Sequence, residues 1–93
     1  MVLDLEQGRL YSLESETRVF HKTGPCLAAV AVNPAGHFYY LHSPNPEAIK
    51  AFAKTHLKAQ AQVAILHSYS EFKGTVEDLF NSGNQIDKVP QEY

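Results

Sequence analysis

Residues 26–32 read Cys-Leu-Ala-Ala-Val-Ala-Val, a run without a polar side chain. A β-strand sends successive side chains to opposite faces, so a strand of this composition has no face to offer to water. Such a run belongs in a sheet covered on both sides, and it is the expected central strand of the fold. Gly24 and Pro25, just before it, cannot comfortably continue a paired strand. Asn33-Pro34-Ala35-Gly36, just after it, suits a tight turn, with Pro34 pre-set for the second position and Gly36 able to take a positive φ.

The turn leads into residues 37–42, His-Phe-Tyr-Tyr-Leu-His, a second strand with Phe38 and Tyr40 on one face and Tyr39 and Leu41 on the other. Asn45-Pro46-Glu47 then signals a helix start: Asn45 caps free amides, Pro46 suits the first helical position and Glu47 complements the dipole. The spacing predicts a helix over Pro46–Lys58, with Ile49, Phe52, Ala53, His56 and Leu57 in one buried stripe and Lys50, Lys54 and Lys58 opposite. Residues 61–66 read as a further strand. Upstream, residues 9–13 and 17–21, joined through Glu14-Ser15-Glu16, predict a hairpin at a sheet edge. Downstream, residues 68–74 form a polar connection, and Thr75 caps a short helix that runs to about Asn81 and stops at Gly83.

Together these elements predict an α+β fold: a five-stranded mixed, mostly antiparallel sheet with one long helix packed on one face and one short C-terminal helix. Residues 1–83 are expected as a single domain, and residues 84–93, poor in apolar anchors, as a loosely ordered tail.

A chain of 93 residues has room for one modest core. Ten acidic against eight basic residues leave a formal charge of −2, without the positive field that holds a nucleic-acid backbone. No apolar run nears the ~20 residues of a membrane helix. The acidic start, with Asp4 and Glu6, is unlike a secretory leader, so neither nucleic acid nor membrane is an expected partner. The lone Cys26 fits a reducing, cytoplasmic setting and is expected as a buried, inert residue opening its strand. Its surroundings show no base or orienting carboxylate for nucleophilic work.

The sharpest functional feature is a repeated tripeptide, Leu41-His42-Ser43 and Leu66-His67-Ser68, each closing an apolar run. A strand, a thirteen-residue helix and a return strand would form one crossover, placing both imidazoles at the same edge of adjacent parallel strands. His42, Ser43, His67 and Ser68 are therefore the candidate ligand-binding residues, for a phosphate or carboxylate when protonated or a divalent metal when neutral. No third ligand stands at a recognised spacing, so neither metal site nor cofactor is assigned. His37 and His42, five apart on one strand, face opposite sides of the sheet.

Phe38-Tyr39-Tyr40 places bulky rings on both faces of one strand, and a single long helix covers only one face. A second copy of the chain is the simplest lid, with Phe38, Tyr39 and Tyr40 as interface candidates. The leading expectation is accordingly a small non-enzymatic interaction or regulatory module acting as a homodimer. The alternative is a small anionic-ligand- or metal-binding domain built on the paired histidines.

Overall fold

The computed structural model describes residues 1–66 and 71–86, the last three by their backbone alone. Among these residues the chain forms, in order, β1 (Leu3–Asp4), β2 (Leu10–Leu13), β3 (Arg18–Lys22), β4 (Leu27–Val32), β5 (Phe38–Ser43), α1 (Pro46–Lys58), β6 (Gln62–Leu66), β7 (Glu71–Thr75), α2 (Val76–Ser82) and β8 (Asn84–Ile86). The class is α+β. No helix among the described residues is long and apolar enough to cross a membrane.

The apolar run lies where its composition demands. β4 is the middle strand of a five-stranded sheet of order β2-β5-β4-β6-β8. Ala28 and Val30 face one core and Ala29 and Ala31 the other, and all four are fully enclosed. α1 covers the second core, packing Ile49, Phe52 and Ala53 against Ala29, Ala31, Leu41, Val63 and Ile65. The first core is closed by α2 and by a separate three-stranded sheet of order β1-β3-β7, through Leu5, Val19, Val76, Leu79 and Phe80. The molecule is thus a helix, a five-stranded sheet, and a small sheet with a short helix, stacked as layers.

α1 occupies the predicted span. Asn45 Oδ1 accepts a hydrogen bond from the Glu47 amide at 3.0 Å, and Pro46 takes the first helical position, where its missing N–H leaves nothing unsatisfied. At α2, Thr75 Oγ1 accepts from the Asp78 amide at 3.1 Å. α2 stops at Gly83, where an added Cβ would stand 2.7 Å from Leu66 Cδ2.

Four expectations are corrected. The five-stranded sheet is antiparallel throughout, and the mixed pairing belongs to the small sheet, where β1 runs parallel to β3. β2 and β3 are not a hairpin: the Thr17 amide closes a turn on the Glu14 carbonyl at 3.0 Å, but β2 then pairs with β5 while β3 pairs with β1 and β7. The start of α2 holds that turn, with the Val76 amide donating to the Thr17 carbonyl at 2.9 Å and Glu77 to Ser15 at 3.3 Å, so carbonyls of the crossing segment satisfy amides that a helix start leaves open. The polar stretch before Thr75 includes a strand, β7. At the far end Asn84–Ile86 form the edge strand β8 against β6, and residues 87–93 lie outside the described residues.

The missing lid for the aromatic strand is in the chain itself. Phe38 is 3 % exposed and Tyr40 0 %, both enclosed between the two sheets, while Tyr39 lies half-buried on the α1 side. Phe38 and Tyr40 are core residues, so they present no surface for a second copy to cover.

Candidate functional site

Of the two tripeptides, Leu41-His42-Ser43 and Leu66 fall within the described residues. β5 and β6 run in the same direction, but β4 lies between them, and Ala28 pairs with His42 on one side and Leu66 on the other. The ends of β5 and β6 are therefore two strand spacings apart, about 10 Å. The repeats are also out of phase: Leu66 is level with His42, so Leu41 faces α1 whereas Leu66 faces the small sheet. His67 and Ser68 lie outside the described residues.

His42 and Ser43 are 5 % and 8 % exposed, and both are engaged internally. Ser43 Oγ accepts from the Asn45 amide at 3.0 Å, shaping the entry to α1. His42 lies in the seam between the sheets with Nε2 3.1 Å from the Thr23 carbonyl, while its Nδ1 is buried without a hydrogen-bond partner among the described residues. Beside it, at 6.3 Å between ring centroids, is His21, whose Nδ1 lies 2.6 Å from the Tyr40 hydroxyl. Burial, and then the proximity of His42, lower His21 from 6.5 to about 4. Burial likewise raises the Tyr40 phenol. The His21–Tyr40 pair is thus uncharged near neutral pH and closed to solvent. Among the described residues no group of three or more His, Cys, Asp or Glu side chains is placed to hold a metal ion.

An accessible site is on the other side of the five-stranded sheet. α1 packs over β4, β5 and β6 and leaves the edge strand β2 uncovered, so Leu10 is 67 % exposed. Between α1 and β2 runs an open, largely apolar groove of about 370 Å³, with Leu10, Leu41 and Phe52 along it and Thr55 and His56 at its rim. His56 stacks on Tyr39 at 4.9 Å and contacts Phe52 at 4.4 Å. Desolvation lowers its pKa, so near neutral pH it adds a flat, uncharged wall.

Beyond Tyr39, on the same face, is a polar cluster. His37 meets the Tyr39 ring edge-on at 5.1 Å, its Nε2 is 2.6 Å from Ser12 Oγ, and its Nδ1 is 3.4 Å from Glu14 Oε1. Ser12 lies on β2 and Glu14 just past its end, and the β2–β5 register, with Leu13 opposite Phe38, brings both to His37. The residues alone show Ser12 on a strand and Glu14 in the turn that follows it. Their meeting with His37 depends on a pairing between distant segments that no local pattern reveals. Cys26 is free and half-buried.

Comparison with protein-family models, with curated proteins and with solved structures found no match.

Proposed function

We propose that this domain is a small binding module whose ligand, a compact molecule with a short apolar chain, lies in the groove between α1 and β2. The observation that carries this reading is the uncovered β2: the helix leaves Leu10 open beside Leu41 and Phe52, forming an apolar floor with a polar rim. The volume of about 370 Å³ falls near the lower end of small-molecule sites, which favours a compact ligand over a docked helix. Butyramide and hexanamide, titrated while backbone amide resonances are followed, test it. Shifts at Leu10, Leu41, Thr55 and His56 are expected, and Ala51→Arg, a substitution at an exposed residue that lines the groove, should abolish them. Unmoved resonances in the wild-type protein would refute the reading.

A homodimeric interaction module is the second reading, and the free edge of β2 is what favours it. Among the described residues that edge pairs with no strand, and an edge carrying an exposed leucine is a surface on which a second copy can add its own β2. Sedimentation should then show dimers that dissociate in Leu10→Lys; a strict monomer at high concentration removes this reading. A cytoplasmic setting accords with the single unpaired Cys26.

A further inference from the structure

The polar cluster beside the groove has the arrangement of an acyl-transfer relay. Ser12 Oγ is 2.6 Å from one ring nitrogen of His37, and the Glu14 carboxylate is 3.4 Å from the other. Hydroxyl and carboxylate on opposite nitrogens are what let an imidazole serve as general base: a proton on Nδ1, facing the carboxylate, leaves the Nε2 lone pair to accept from the serine hydroxyl. The longer of the two contacts exceeds a formed hydrogen bond, as is common in such sites before substrate binds.

His37 is held in place rather than hanging from a mobile loop. Its amide donates to Asn33 Oδ1 at 2.9 Å, its carbonyl accepts from the Asn33 amide at 3.0 Å, and its ring rests on Tyr39. The turn that carries it needs Gly36 at a φ of +85°, a conformation in which a Cβ would be strained. Ser12 follows Leu10 by two residues on the same face of β2, so its hydroxyl lies one side-chain row beyond the groove. β2 is the edge strand of its sheet, and in an antiparallel edge strand alternate backbone amides face away from the partner strand.

We propose that Ser12, His37 and Glu14 form a hydrolytic site for small carboxylic esters whose acyl chain lies in the α1–β2 groove, an inference that rests on the binding role given to that groove. Ser12 Oγ bonds to the ester carbonyl carbon as its proton passes to His37 Nε2. The carbon–alkoxy bond then breaks and the leaving alcohol takes that proton. A water molecule next gives a proton to His37 and its oxygen to the acyl carbon, the bond to Oγ breaks, and the proton returns to the serine as the carboxylic acid departs.

Diisopropyl fluorophosphate, compact enough to react without the groove, tests the relay when its adduct is mapped by peptide mass spectrometry. A single adduct on Ser12 is expected, absent in Ser12→Ala and unchanged in Ser15→Ala. Labelling should slow by roughly tenfold or more in His37→Gln, and by less in Glu14→Gln. Wild-type protein should also hydrolyse 4-nitrophenyl butyrate at least about tenfold faster than Ser12→Ala, with matched thermal unfolding showing that the variants are folded. Wild-type protein unlabelled at Ser12, or no faster than Ser12→Ala, overturns the proposal whether or not any variant folds. Ala51→Arg separates the two claims: if labelling persists but the preference for butyrate over acetate does not fall, the groove assignment fails and the relay stands.

Discussion

His21 Nδ1 and the Tyr40 hydroxyl lie 2.6 Å apart, with their rings edge to face at 5.6 Å, and so join β3 of the small sheet to β5 of the large one. Both residues are wholly buried, which means the seam is built for an uncharged imidazole.

A pH dependence follows from that pair. His21 has its folded pKa lowered from 6.5 to about 4, so the unfolded chain takes up the proton first on acidification. Stability should be full above pH 6.5 and fall as the pH drops toward 4. At about 1.4 kcal/mol per pKa unit the loss approaches 3 kcal/mol. Urea unfolding at pH 7, 5.5 and 4.5 measures it, and His21→Phe should flatten the profile. An equally steep fall in His21→Phe would assign the effect elsewhere.

The two-sided burial of β4 predicts intolerance to volume. Ala29 is 0 % exposed beneath α1, so Ala29→Leu should destabilise the fold by about 1–3 kcal/mol. Ala35→Leu, in the exposed turn, should stay within about 0.5 kcal/mol of wild type. Chemical denaturation of the two variants makes the comparison, and equal midpoints would contradict it.

Gly83 is held by close approach. A Cβ there would stand 2.7 Å from Leu66 Cδ2, 3.1 Å from Ala64 Cβ and 3.3 Å from the Ile65 carbonyl oxygen, so Gly83→Ala requires Leu66 to turn aside or α2 to move away from β6. The expected loss is about 1–3 kcal/mol. Thermal unfolding reads it, and an unchanged midpoint would show that Leu66 yields without penalty.

The cap of α1 has an effect of its own. Asn45→Ala removes the acceptor for the Glu47 amide and should cost about 1 kcal/mol, whereas Asn45→Asp should retain most of that stability. The contrast between the two variants in urea separates capping from a general effect of mutation. Equal losses in both would argue against it.

Legibility in the sequence tracked how local the cause was. α1 was readable because Asn45, Pro46, Glu47 and the Ile49, Phe52, Ala53 stripe lie within one segment, and β4 because its composition leaves no wet face. The second sheet was not readable. β7 is short, polar and interrupted by Gly74, and it is a strand only because β3 pairs with it along its length. The turn at residues 14–17 looked like a hairpin because its chemistry is that of a turn, while the partners of its flanking strands lie far along the chain. For the same reason the tripeptide repeat suggested adjacent strands, whereas β4 lies between β5 and β6. Register, which set Leu41 and Leu66 on opposite faces, is invisible in the tripeptides, and the proximity of Ser12, Glu14 and His37 rests equally on register.

The small sheet draws its strands from segments far apart, with Lys22 opposite Glu71 and Leu3 opposite Val19. Closing a loop of roughly fifty residues carries an entropic barrier that must be crossed before those pairings return any stability. During synthesis, then, α1 and the central strands can assemble while the rings of Phe38 and Tyr40 still lack their cover. That interval, before β7 pairs with β3, is when a chain of this design is most exposed to sticking to its neighbours.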